Sequence, residues 1–216
     1  LLLAAAPASA QLNLNGFLSG TNGTYYTNFS GMGTANSMWT NQNAHPYLAG
    51  WYAAKSVTTT TNIAFNADTG SGTVGGMMNY GSASAADRAL GSLNSNQTGD
   101  VARAVYFYND SGATLTNFTV TYTGEQWRCG GNTTRDILEV AYKKSASALT
   151  LQATANATWG GTLVSSLNYT SPYASSTAGA CDGNASNKLT LSASLNIDLP
   201  SGQYLMVRWF DSNISG

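Results

Sequence analysis

A chain of 216 residues is long enough for one large β domain or two small ones, and a domain that size buries roughly 70% of its unfolded surface without a metal or disulfide lattice. Only 9% of the residues are charged, nine basic against ten acidic, so no basic stripe exists to neutralise phosphates and nucleic acid is excluded as a partner. The chain is not disordered, being 43% hydrophobic and 11% aromatic. Its polarity comes from Asn, Ser, Thr and Gly, a mixture suited to the strand faces and tight turns of extracellular β proteins.

The first ten residues, "LLLAAAPASA", read as the C-terminal part of a secretory signal peptide, with Ala8-Ser9-Ala10 as the cleavage site and Gln11 as the first mature residue. Ten residues are too few to span a bilayer, and no later run approaches the ~20 apolar residues that would. Residues 11–216 then form one domain, since no repeat, linker or composition break divides them.

Period-two alternation dominates the remainder of the chain. Short strands are expected near 12–18, 62–66 and 74–80, and "SASAADRALGSLNS" (82–95) is the best helical candidate, at one or two turns. A strand is next expected at 102–109. In 116–124, Phe118, Val120 and Tyr122 oppose Thr119, Thr121 and Thr123. In 136–143, Leu138, Val140 and Tyr142 oppose Glu139, Ala141 and Lys143. Leu189 to Ile197 alternates in the same way, and 203–210 is the last strand. Several strands with one apolar face each imply two sheets packed face to face, an all-β antiparallel sandwich of jelly-roll type with little helix.

Cys129 and Cys181 lie in Gly-rich turn contexts, "RCGGN" and "GACDGN", and are expected to pair in an oxidising compartment. Such a bond closes a loop worth roughly 4 kcal/mol in the chain-entropy model. Neither cysteine has the spacing of a metal site.

The segment "TVTYTGEQWRCGG" concentrates Glu125, Trp127, Arg128 and Cys129. Glu125 as a general acid or base beside Trp127 as a sugar platform is one reading. The favoured one is architectural, with a buried, hydrogen-bonded Glu125 and Trp127 in the core. A glycosidase needs two converging carboxylates, and nothing in the spacing selects a pair such as Glu125 and Glu139. His45, the only histidine, precedes a proline and reads as a loop residue; no G-x-S-x-G elbow accompanies it. No catalytic set is therefore expected, and no cofactor. Structural Ca²⁺ is the one ion to consider, through the oxygen-rich turns of Asp110, Asp182 and Asp211. Trp39, Trp51 and Tyr52 sit in irregular polar surroundings and are the expected exposed aromatics, candidates for glycan contact.

"GWYAAK" (50–55), "NYGSASAADRALGSLNS" (79–95), "VYFYNDSGATLTNFTVTYTGEQWR" (105–128), "DGNAS" (182–186) and "GQYLMVRWFDSNISG" (202–216) resemble a jelly-roll module of secreted and surface-anchored bacterial proteins, including those with PEP-CTERM-type sorting signals. The resemblance implies a non-catalytic module with an adhesion, matrix or structural role in a larger extracellular or cell-surface protein. The alternative is a carbohydrate-binding domain that targets an attached enzyme to polysaccharide. Partners would be a polysaccharide or a cell-surface or matrix component. Such chains continue into an "AIDD"-like strand, so the domain is expected to be truncated at its C-terminal end. Cys129 and Cys181 depart from the module's pattern, which favours a bond particular to this protein.

Overall fold

The computed structural model describes residues 11–19, 22–41, 48–58 and 62–214. The expected signal segment, residues 1–10, and His45 lie outside them. In chain order the first strands are β1 (Leu12–Asn13), β2 (Leu18–Ser19), β3 (Asn22–Gly23) and β4 (Ser37–Met38). Then come β5 (Trp51–Lys55), β6 (Ala64–Asp68), β7 (Gly76–Tyr80), β8 (Ala89–Leu93) and β9 (Val101–Tyr108). The second half holds β10 (Phe118–Glu125), β11 (Arg128–Cys129), β12 (Ile137–Ser145), β13 (Thr162–Leu163) and β14 (Tyr169–Thr170). Last are β15 (Gly179–Ala180), β16 (Lys188–Leu195) and β17 (Tyr204–Asp211). One α-helical turn, α1, spans Asn156–Trp159.

The fold is largely β, as the alternation implies, but it is several sheets rather than two. A curled seven-stranded sheet runs β1-β9-β17-β12-β13, with β5 also on β9 and β14 also on β12. A second, four-stranded sheet runs β4-β6-β7-β8, and β10-β16, β11-β15 and β2-β3 are two-stranded. Pairing is mixed, not purely antiparallel: β6–β7 and β1–β9 run parallel.

The main core lies on one face of the large sheet. Val101 and Val105 of β9, Leu205, Val207 and Trp209 of β17, and Val140 of β12 pack there against Leu195 of β16 and Phe65, Met77 and Leu90 of the four-stranded sheet. Phe118, Val120 and Tyr122 of β10 join them, the apolar set that the alternation assigns inward. The opposite set faces out as cross-strand hydroxyl pairs: Thr119–Ser194 at 3.3 Å, Thr121–Ser192 at 2.7 Å and Thr123–Thr190 at 2.9 Å. These pairs hold the ribbon's register.

Three expectations are corrected. The candidate helix of 82–95 is a turn followed by β8. Leu90 enters the main core while Ala89 and Leu93 pack on Tyr80 and Trp127, so this apolar cluster serves both faces of a strand. The strand expected at 12–18 is interrupted by a 3₁₀ turn at Leu14–Phe17 that buries Leu14. Strands β9 and β17 have two buried faces, not one, because residues 149–159 cover the second face. A near-continuous apolar run such as "VARAVYFY" is what a strand covered on both sides requires.

Arg208 of β17 is fully buried on that second face. Its guanidinium stacks 4.1 Å from the Trp159 ring and donates to the carbonyls of Gln152 (3.2 Å) and Thr154 (2.8 Å). Glu139 lies 3.9 Å away, and burial lowers the arginine to about 10 against that carboxylate's opposing pull. Arg208 thus ties the covering segment to the sheet. Arg208→Ala should remove this anchor and leave a cavity under Trp159, destabilising the protein by about 3 kcal/mol in denaturant unfolding.

Candidate functional site

The walls of an open cleft of about 910 Å³ include Asp87–Ser92, Tyr122–Arg128, and Trp209 with 211–214, together with Tyr26–Phe29 and further residues such as Trp51, Arg103, Asp136 and Tyr173. The first three stretches are the cores of "DRALGS", "YTGEQWR" and "WFDSNI". Strands β8, β10 and β17 bring them together from three different sheets.

At one end of the cleft the large sheet presents charge on its core face. Trp209 pairs with Arg103 and Leu138 with Asp211, so Arg103, Asp211 and Asp136 share that face. Ser92 of β8 bridges them, donating its hydroxyl to Asp211 Oδ2 at 2.5 Å while accepting from Arg103 Nη1 at 2.8 Å. Asn94 Nδ2 donates to Asp211 Oδ1 and to its carbonyl, both at 3.0 Å. Asp136 Oδ1 accepts from the Ile137 N–H at 2.9 Å.

Asp136 lies close enough to Asp211 to disfavour its ionisation. Burial and the neighbouring Asp136 carboxylate push Asp211 up to about 7, against the pull of Ser92 and Arg103. Burial raises Asp136 as well, while the Ile137 N–H, Asp211 and Arg103 oppose the shift. One buried cation faces two carboxyls, so holding one proton leaves the cluster neutral.

Glu125 sits farther along the same cleft. It accepts from the Trp127 indole N–H at 2.8 Å, pairs in register with Lys188, and is raised mainly by burial. Trp127 is 4% exposed and stacks on Tyr80 with centroids 6.3 Å apart. Its indole approaches Gly183 so closely that a Cβ on that glycine would overlap Nε1. Arg128 donates to the carbonyls of Gly70 (3.0 Å) and Ser71 (3.3 Å). Gly70 needs its freedom: φ is +93°, and a Cβ there would collide with the Trp127 carbonyl. Glu125, Trp127 and Arg128 thus tie strands and loops together while lining a cleft.

Other expected site residues are dispersed. Trp51 and Tyr52 are buried, at 7% and 8% exposure, and are not surface platforms. Both belong to β5, whose two faces are covered: Trp51 donates to Tyr25 Oη at 2.9 Å and Tyr52 packs edge-on against Tyr106. Trp51 still touches the cleft wall. Trp39 is half-buried, packs on Phe65 and is not part of the cleft lining. The three aspartates proposed for calcium do not assemble. Asp110 accepts from the Asn15 N–H beyond one end of β9, Asp182 caps its own turn at Asn184, and Asp211 is at the other end of the sheet. Among the described residues no group of three His, Cys, Asp or Glu could hold a metal.

Cys129 and Cys181 are brought together by the β11–β15 ladder, in which Cys129 pairs with Gly179 and the Cys181 N–H donates to the Trp127 carbonyl at 2.7 Å. Both are free thiols here. Burial and the adjacent Cys129 raise Cys181.

Arg103 and Asp136 carry no motif of their own. Their signal is a charge at an inward register of an apolar strand, as in "VARAVYFY" and "RWFD", where an unpaired charge would be costly. No protein-family model matches the chain, and neither a curated protein nor a solved structure is similar to it.

The carboxyl pair sets a pH dependence. A carboxyl whose folded pKa exceeds its unfolded value contributes stability that is complete below the unfolded pKa and lost as pH rises through the folded one. Stability should therefore fall from about pH 4 to pH 7. Glu125 and Asp136 act in the same direction. Thermal unfolding across that range should show the slope, and Asp211→Asn should remove most of it.

Proposed function

We propose that this chain is a non-catalytic module of a larger secreted or surface-anchored bacterial protein, and that its cleft binds carbohydrate. The observation that carries the reading is the convergence of three sequence-distant segments on one cleft that offers rings and hydrogen-bonding groups together. Sugar sites combine apolar faces with a few placed polar groups. Tyr173 stands half exposed at the wall and Tyr122 is partly exposed there, and Ser92, Asn94 and Asp136 supply polar contacts. These three segments lie within stretches that resemble extracellular jelly-roll modules. The curled sheet opposed by the β10–β16 ribbon is compatible with a jelly-roll descent. A role in adhesion or matrix attachment follows if the ligand is a surface polysaccharide. If an enzyme domain is attached, the same cleft targets it.

Cleft binding and Trp39 binding are separable. In affinity electrophoresis against soluble polysaccharides and pull-down with insoluble ones, Tyr173→Ala should weaken retention about tenfold, on the order of one ring contact. Trp39→Ala should leave it unchanged. Loss on Trp39→Ala alone, or no retention by any polysaccharide, overturns the cleft assignment.

An oxidising destination also implies a Cys129–Cys181 bond in the mature protein, since Cys129 lies in the β11–β15 ladder and Cys181 directly follows it. Thiol titration of non-reduced, denatured protein purified from an oxidising compartment should find no reactive cysteine, and two equivalents per chain after reduction.

A further inference from the structure

We infer that the outer edge of β16 is a contact between two copies of this chain, which pair antiparallel about a two-fold axis at Ser192. The β10–β16 ribbon is two-stranded, so each of its strands has one edge without a neighbouring strand. The register fixes which groups lie on that edge. Gln126 N–H donates to the Asn187 carbonyl at 2.9 Å, which makes 126–187 a hydrogen-bonded rung. Such rungs alternate along an antiparallel pair. Leu189, Leu191 and Ala193 therefore bond to β10, while Thr190, Ser192 and Ser194 turn their N–H and C=O groups away from it. Among the described residues, no hydrogen bond reaches the backbone of those three. The nearby 3₁₀ turn, Ser165–Leu167, sits on the core side, where Tyr122 donates its hydroxyl to the Leu167 carbonyl at 2.6 Å.

Other edges of the fold are closed by asparagines. Asn41 accepts from the Ala53 N–H at 2.8 Å on β5, and Asn36 from the Ala67 N–H at 2.9 Å on β6, just past β4. Asn168 accepts from the Val140 N–H at 2.9 Å on β12, in the gap between β13 and β14. Each amide stands where a further strand would bond. Exposed edges are otherwise guarded by charges, prolines or bulges that deter pairing. The run Leu189–Leu195, "LTLSASL", has no charge and no proline, and its ladder with β10 is unbroken. Strand β10 lines the cleft, whereas no residue of β16 does, so pairing on β16 leaves both clefts open.

The occupant is a second copy because the strand is its own complement. An axis at Ser192 sets Ser192 against its symmetry mate, Thr190 against Ser194 and Leu191 against Ala193. Residues opposed across an antiparallel pair share a face, so hydroxyls meet hydroxyls and apolar side chains meet apolar ones. A slip of one residue destroys both matches. Leu189, 52% exposed on the ribbon's core face, falls against Leu195 of the second copy and is covered. Lys188 falls opposite Asn196, so no like charges meet, and the net charge of −1 adds little long-range repulsion. The hydroxyl pairs of β10–β16 then run on across four strands. A contact of one strand from each copy buries less than the ~1,200 Å² of a stable interface, so the dimer is a weak one.

Sedimentation equilibrium of the chain should show the average mass rising from one chain toward two between about 1 and 500 µM. Over the same range, hydrogen exchange should find the amides of Thr190, Ser192 and Ser194 unprotected when dilute and at least about tenfold protected when concentrated. Residue 192 meets itself at the axis, so Ser192→Lys and Ser192→Asp should each dimerise about tenfold more weakly, and their equimolar mixture should recover native strength. Ser192 is exposed, and both variants should unfold as cooperatively as the native chain. If either does not, the exchange result on the native chain decides. A chain that stays monomeric, no protection at those three amides, or native-strength dimerisation by each variant alone overturns the inference. Growth past the dimer does so too, because a two-fold contact closes on itself. The carbohydrate reading stands or falls separately from these outcomes.

Discussion

The constraint on which the structure depends is the burial of β9 and β17 on both faces. Two adjacent strands at the centre of a curled sheet cannot place a charge anywhere without solving its desolvation, yet each carries an arginine. Arg103 and Arg208 sit on neighbouring rungs and point to opposite sides. Each side therefore had to be built around a guanidinium, and the two solutions differ.

On the outer side the solution is architectural. Arg208 is satisfied by backbone carbonyls of the covering segment and by the Trp159 ring, all of which exist only because that segment lies down on the sheet. The cation and its cover are mutually dependent, and the arginine itself does not reach solvent. A guanidinium is well suited to this role because its donors fan out in a plane while its face stacks on an aromatic ring.

On the core side the solution is open. Arg103 donates to Ser92, which in turn donates to Asp211, at the end of the sheet where the cleft begins. That difference gives the cleft its chemical character. The Glu125-Trp127-Arg128 stretch forms another part of the cleft wall, held by tight contacts with Gly70 and Gly183 that leave no room for a side chain. The stretch ties strands and loops together and shapes the cleft as well.

The sequence alone determined the β character, most strand positions and the inward residues of β10, because a period of two is a local property that any half-buried strand must show. Of the five stretches it singled out, four contribute residues to the cleft wall, and 182–186 does not. It misassigned 82–95, where apolar residues spaced for a helix serve the two faces of β8, and it placed Trp51 and Tyr52 on the surface because nothing local reveals that β5 is covered twice. The partnership of Arg103 with Ser92, Asp136 and Asp211 was decided only by the tertiary structure. Those residues are 11, 33 and 108 positions away in the chain, and the cost of burying a charge says that partners must exist without saying where they lie.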